Sequence, residues 1–213
     1  MRADARMRSA SAGLLALTGN SGTSARYPAR AVLYPELAES PTAAYGLLFL
    51  RVVIGLSLAA HGTQKLFGWF EGGGPRVTAG FFGGLGFRPP LAMAITAGLL
   101  EAAGLAFALG FLTPFAALAM ASTMVVAIGS VHWRNGSGPA RAAKYNLVLL
   151  AVAVAVAGTG PGRFSIDRAL GWDGALSGVW WGVGVVVASI AGGLLVLSTR
   201  QTPPAPEATV APS

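Results

Sequence analysis

The stretch RVVIGLSLAAHGTQKLFG, at residues 51–68, lies in an apolar segment that is long enough to cross a membrane. At about 1.5 Å per helical residue, some 20 residues span the hydrocarbon core of a bilayer. The stretch also contains four polar side chains, those of Arg51, His61, Gln64 and Lys65. A helix that only anchors a protein in lipid avoids such side chains. We therefore interpret the stretch as a transmembrane helix with a functional role.

The composition of the whole chain indicates a polytopic membrane protein. Of its 213 residues, 54% are hydrophobic and 11% are charged, whereas soluble domains contain about 25% charged residues. Thirty glycines are consistent with close helix packing in lipid. The net charge of +7 comes mostly from tails and loops, so we expect anionic lipid headgroups as partners and no nucleic acid. The chain has no cysteine, which excludes disulfides and iron–sulfur ligation by its own residues.

The hydropathy pattern predicts an all-α membrane bundle with a four-helix core and a fifth, C-terminal transmembrane helix. The predicted spans are residues 44–66, 91–109, 114–131, 144–157 and 179–197. The fourth span is short unless it continues to residue 159. In the long loop between the first two spans, phenylalanines and glycines predict a short helix in the membrane interface within residues 77–87.

The two ends of the chain are predicted to be disordered tails. Residues 1–43 contain an apolar patch at residues 13–17 that is too short for a signal-peptide core. Translation could start at Met1 or at Met7. Residues 198–213 are rich in proline.

Five spans define two sides of the membrane. The loops after the first and third spans lie on one side, called side A, and the turn at residues 110–114 and the loop after the fourth span lie on side B. Basic residues are nearly balanced between the sides, so the positive-inside rule leaves the orientation open.

The polar side chains of the first two spans are predicted to converge. On the first span Arg51, His61 and Lys65 share one face, with Gln64 at its margin. Measured from side A, Arg51 lies roughly 22 Å deep, His61 roughly 7 Å and Glu101, on the second span, roughly 15 Å. A carboxylate at that depth needs a partner. We therefore predict that Glu101 pairs with Arg51 or His61.

Further polar residues lie near the side A ends of later spans. They are His132, Tyr145 and Asn146. We predict one polar mouth on side A with Glu101 at its floor. A structural alternative stays open, because a buried ion pair can simply set helix register and Lys65 can extend to the interface. No spacing of residues predicts a metal site.

Three stretches together resemble the DoxX family of bacterial membrane proteins. They are HGTQKLFGWF at residues 61–70, GLLEAAGLAFALGFLTPFAALAMA at residues 98–121 and GPGRFSIDRALG at residues 160–171. The resemblance covers residues 44–171 and implies a four-helix membrane module in the plasma (inner) membrane. It implies a membrane subunit of an oxidoreductase complex, and the third stretch, with Arg163, Ser165 and Asp167, is a candidate loop for a partner protein.

Three functions compete, and whether the chain is itself an enzyme stays open. The first is a redox subunit that binds a quinone non-covalently and works with a redox partner protein. Quinone binding requires an apolar slot, a hydrogen-bond donor such as His61 and a proton carrier such as Glu101. The second is a proton-coupled or small-solute transporter, to which a homo-oligomer could contribute; no broken helix is evident in the sequence. The third is a scaffold that holds a soluble partner at the membrane.

Overall fold

The computed structural model describes residues 40–132 and 140–201, without the side chains of residues 131, 132 and 140–142. From Pro41 onward these residues form one compact unit. Every regular element in the described part of the chain is a helix, which confirms the all-α prediction. Both predicted tails lie mostly outside the described residues.

Eight helices make up this unit. They are α1 Pro41–Phe67, α2 Gly74–Gly84, α3 Pro90–Ala102, α4 Gly104–Leu109, α5 Thr113–His132, α6 Ala140–Thr159, α7 Ile166–Ala169 and α8 Val179–Ser198. The short helix predicted within residues 77–87 is present as α2, which starts and ends three residues earlier. Its location in the membrane interface stays a prediction. The single turn α7 was not predicted, because its four residues carry no periodic apolar pattern.

Prolines and glycines determine where several helices begin and end. Pro90 occupies the first position of α3, where its missing N–H costs no hydrogen bond. Gly110 ends α4 in the left-handed conformation, with φ 63° and ψ 46°, a conformation that glycine adopts without strain. The second predicted span is two helices, because α3 stops at Ala102 and α4 starts at Gly104.

Four segments are long and apolar enough to cross a membrane. They are Pro41–Phe67, Pro90–Leu109, Thr113–Ser130 and Val179–Ser198. These segments and the exposed apolar side chains along them identify a multi-pass membrane protein in contact with lipid. In α6 the apolar part, Ala143–Thr159, is shorter than 18 residues. A membrane crossing by α6 therefore stays a prediction.

The helices pack in two neighbouring groups. In the first, α1 lies against α3 and α4, and α2 covers α3; in the second, α5, α6 and α8 contact one another. Contacts of α5 with α3 and α4 join the groups. The main core lies largely in the second group, and Leu58 of α1 and Phe107 of α4 also belong to it. It consists mainly of small and flexible side chains, including those of Ala117, Met120, Ala121, Ala153 and Ala157. Small residues allow the close backbone approach on which helix packing in lipid depends.

The ends of the bundle are named after the predicted sides. At the side A end, α1 finishes, α3 begins and α8 finishes. There the backbone N–H of Gln201 donates to the carbonyl oxygen of Gly86 at 2.8 Å, and Arg200 donates to that of Leu85 at 2.9 Å. At the side B end, the N–H of Asp167 donates to the carbonyl oxygen of Gly110 at 2.9 Å. The loop after α6 is therefore attached to the turn between α4 and α5.

Candidate functional site

Glycines bring α1 and α3–α4 into backbone contact. A Cβ atom at Gly62 would collide with the backbone of Gly98 and Ala102, and one at Gly55 would collide with the backbone of Gly104. Since the two helices run in opposite directions, these contacts place Glu101 close to the level of Gly62. The glycines therefore define which side chains of the two helices can meet.

Glu101 and Lys65 form an ion pair across this contact. The Nζ of Lys65 donates to Oε1 of Glu101. Glu101 is 6% exposed, whereas the Lys65 side chain is 29% exposed. Helical side chains lean toward the N-terminus of their own helix. In antiparallel helices Lys65 therefore leans inward from side A and Glu101 leans toward side A, so they meet although their Cα atoms lie about one turn apart in depth.

The prediction that Glu101 pairs with Arg51 or His61 is wrong. It assumed that the first two spans end level at side A. The contact between Gly62 and Ala102 shows instead that α3 starts beyond the end of α1. Glu101 consequently lies nearer to side A than expected, within reach of Lys65. The expectation that Glu101 is buried in protein is correct.

A cavity of about 280 Å³ adjoins the ion pair. Its walls come from α2, α3, α5 and α8, and Lys65 contributes from α1. Most of the lining is apolar, including Phe82, Leu85, Met93 and Val196. This places a buried carboxylate at the wall of an apolar chamber in the side A half of the bundle.

Three hydroxyl groups of α5 also line the cavity. Ser122, Thr123 and Ser130 donate their hydroxyl protons to carbonyl oxygens of α5, to Leu118 at 2.8 Å, Met120 at 2.8 Å and Val126 at 2.6 Å respectively. Their free capacity toward the cavity is therefore that of acceptors. Oε2 of Glu101 is buried and has no hydrogen-bond partner among the described residues.

The hydroxyl residues were not singled out from the sequence. The signal was present, because Thr123, Val126, Ala127 and Ser130 follow the i, i+3, i+4, i+7 spacing of one helix face. It was weak, because serine and threonine are common in membrane helices, where they bond to their own backbone. Only the packing of α5 against α3 and α8 shows that this face borders a cavity.

His61 and Gln64 lie outside the cavity. The Nδ1 of His61 is 2.9 Å from Oε1 of Gln64, and Gln64 donates to the carbonyl oxygen of Phe70 at 3.2 Å. The buried face of α1 contains Gly55, Leu58 and Gly62. His61 lies about 100° from Gly62 around the helix and is exposed. The pair ties the end of α1 to the following loop.

Arg51 belongs to the other end of the bundle. Its guanidinium is fully buried and donates to the carbonyl oxygens of Pro161 and Phe164, and it interacts electrostatically with Asp167. Arg51 therefore attaches α1 to the loop after α6 on side B. It does not join the site on side A.

Asp167 is also a structural residue at this end. Its carboxylate accepts from the N–H groups of Leu112 and Thr113 at 2.8 and 2.9 Å and from the Thr113 hydroxyl at 2.7 Å. It thereby caps the start of α5 from a distant loop. Ser165 caps α7 through the N–H of Arg168 at 3.2 Å. The third residue of the predicted partner loop, Arg163, has an exposed side chain.

Tyr145 and Asn146 do not line the cavity. Tyr145 is exposed and Asn146 half-buried on α6, and the side chain of His132 lies outside the described part of the chain. Within the residues that the structure describes, no group of three or more His, Asp or Glu side chains could hold a metal ion. Of the residues that were predicted to form one polar mouth, Lys65 and Glu101 line the cavity in the described part of the chain.

Comparison with known families identifies the central part of the chain. The DoxX family model matches residues 46–133. These contain most of α1 and all of α2 to α5, and therefore both partners of the ion pair. This membrane protein therefore contains a DoxX-family domain at residues 46–133. The match ends before residues 160–171, so the third stretch that suggested the family lies outside it. No curated protein and no solved structure matches the chain significantly.

Proposed function

We propose that this protein is a membrane subunit of a quinone-linked oxidoreductase complex in the plasma membrane, and that its side A cavity holds the quinone ring. The observation that carries the proposal is the apolar cavity of about 280 Å³ with the Glu101–Lys65 pair in its wall. Ring-binding sites combine apolar walls with a few polar groups that orient the ligand. The DoxX family match is consistent with this role.

The redox centre is assigned to a partner protein. The chain has no cysteine, so thiol chemistry and iron–sulfur ligation would come from another subunit. The chain itself would hold the ring, exclude water from it and supply Glu101 and Lys65 as polar contacts. A scaffold that recruits the partner without a ligand is the simpler form of the same proposal.

Gentle detergent purification followed by mass spectrometry of bound small molecules and proteins tests the proposal. We expect the wild-type protein to retain quinone, and Ala127→Phe, which fills the cavity, to lose at least about nine-tenths of it, since ligand and side chain would occupy the same volume. Ala92→Phe is the matched control, because Ala92 is exposed on α3 and does not line the cavity.

Two results would contradict the proposal. One is that purified wild-type protein carries no quinone, or that Ala127→Phe retains as much quinone as the wild type. The other is proton or solute flux in quinone-free vesicles that disappears in Glu101→Gln. That result would favour a transporter, for which the buried carboxylate of Glu101 in the wall of the cavity is a specific argument.

A further inference from the structure

The polar groups of the cavity are unequally divided between donors and acceptors. Oε2 of Glu101 is a buried acceptor without a partner in the described part of the chain. The hydroxyls of Ser122, Thr123 and Ser130 offer lone pairs only, because their protons are already donated to α5. Two other residues of the lining can donate: Lys65 has N–H groups, one of which is used by Glu101, and Thr96, which is exposed on α3, has a hydroxyl.

A buried carboxylate oxygen without a donor is energetically unfavourable, since it has lost its hydration without replacement. The ligand that best fits the cavity therefore donates a hydrogen bond to Oε2 of Glu101. A ligand that can only accept leaves this atom unpartnered. Both kinds of ligand can accept from the remaining N–H groups of Lys65, so Lys65 does not distinguish between them.

The charge of the site indicates a neutral ligand. Glu101 and Lys65 together carry no net charge, and they are in direct contact. A cationic ligand would approach the Lys65 ammonium and an anionic one the Glu101 carboxylate, and the apolar walls would leave either charge poorly solvated. A hydroxyl group on an apolar ring meets these requirements, and a single substituted ring fits within about 280 Å³.

We propose that the cavity selects the reduced, hydroxyl-bearing form of a single-ring quinone, with one ring hydroxyl donating to Oε2 of Glu101. The proposal rests on the function proposed above and adds the redox form that the site recognises. The quinone form carries carbonyl oxygens in place of hydroxyls, so it cannot satisfy Glu101. One hydrogen bond to a charged group corresponds to a preference of roughly tenfold to a hundredfold.

Binding of three matched probes to the purified protein in nanodiscs tests the selection. The probes are tetramethylhydroquinone, its dimethyl ether and tetramethylbenzoquinone, measured by calorimetry under anaerobic conditions. They share the same substituted ring and differ in donor groups. We expect the hydroquinone to bind at least about tenfold more tightly than either of the others. The wild-type protein alone suffices for this comparison, so it does not depend on the folding of a variant.

Two variants locate the effect. Glu101→Gln presents an amide, which can donate to a carbonyl as well as accept from a hydroxyl, so the preference should fall below about threefold. Ala127→Phe should weaken the binding of all three probes, because it fills the cavity, and Ala92→Phe should bind them as the wild type does.

The outcomes separate this inference from the proposed function. Equal binding of hydroquinone and benzoquinone, or tighter binding of benzoquinone, overturns the selection and leaves the quinone-linked function standing. No binding of any probe also overturns it. If the hydroquinone is selected but purified protein carries no quinone and no redox partner, the donor preference of the cavity stands and the proposed function fails.

Discussion

Asp167 illustrates how a buried charge can be structural in a membrane protein. Its carboxylate accepts three hydrogen bonds at the start of α5 and lies near the buried guanidinium of Arg51. Arg51 in turn holds two carbonyl oxygens of the same loop. One carboxylate and one guanidinium thus link α1, α5 and the loop after α6.

Replacement of Asp167 by alanine should destabilise the protein strongly. Two N–H groups and one hydroxyl would lose their acceptor in a buried position, and Arg51 would lose the opposing charge of Asp167. We expect the free energy of unfolding to fall by about 3 kcal/mol or more, measured by thermal unfolding of purified protein in detergent.

The matched control is Asp173→Asn. Asp173 contacts the exposed guanidinium of Arg168, and exposed ion pairs contribute less than about 1 kcal/mol. If Asp167→Ala unfolds at the same temperature as this control, the capping role assigned to Asp167 is incorrect.

The ion-pair partner of Glu101 depends on how deep Glu101 lies relative to the side chains of α1. The sequence correctly indicated that its carboxylate is buried and faces a cation. It could not indicate which cation, because a displacement of one helical turn, about 5.4 Å, exchanges one partner for another. That displacement comes from the position of α3 relative to α1, which a single sequence does not determine.

At the scale of elements, the contact between α1 and α3–α4 determines the geometry of the site. Gly55, Gly62 and Gly104 have no space for a Cβ atom at this contact. The backbones can therefore approach closely enough for Lys65 and Glu101 to meet. The abundance of glycine was evident from the sequence, but not which glycines lie at a helix contact and which face lipid.

Gly62→Ala should therefore push α1 and α3 apart. We expect a loss of about 1–3 kcal/mol of unfolding free energy from overpacking. We also expect weaker quinone retention, because the Lys65–Glu101 pair would be displaced. Thermal unfolding and mass spectrometry of the same preparation measure both effects.

Gly46→Ala, on the same helix, is the control. A Cβ atom at Gly46 would meet no neighbouring atom, and alanine favours helix by about 1 kcal/mol over glycine. This variant should be as stable as the wild type or slightly more stable. If Gly62→Ala is as stable as Gly46→Ala, the close packing assigned to Gly62 is incorrect.

At the scale of the whole molecule, the arrangement of α6 decides the topology. The loop after α6 is attached to α1 and to the turn after α4 through Arg51 and Asp167. The end of α8 is attached to the segment between α2 and α3. These contacts place the ends of α6 and α8 at opposite ends of the bundle, as expected if α6 also crosses the membrane.

Single cysteines can test this topology, because the natural chain has none. We expect a membrane-impermeant maleimide to label Arg88→Cys and Gln201→Cys from one side and Gly174→Cys from the other, each of these residues being exposed. The wild-type chain gives the background. If Gly174→Cys is labelled from the same side as Arg88→Cys, and Gln201→Cys from the opposite side, α6 does not cross the membrane.

The sequence by itself determined the all-α fold class, the membrane location, the DoxX family of the central part and most helix bounds, because these depend on hydropathy, helix length and local motifs. The tertiary structure decided three further points. Arg51 has a structural role on side B, Lys65 is the partner of Glu101, and a cavity lies beside that pair. These points depend on the axial position and the rotation of each helix relative to its neighbours. The packing of glycines at the helix contacts determines this relative position, and no local pattern in a single sequence specifies it.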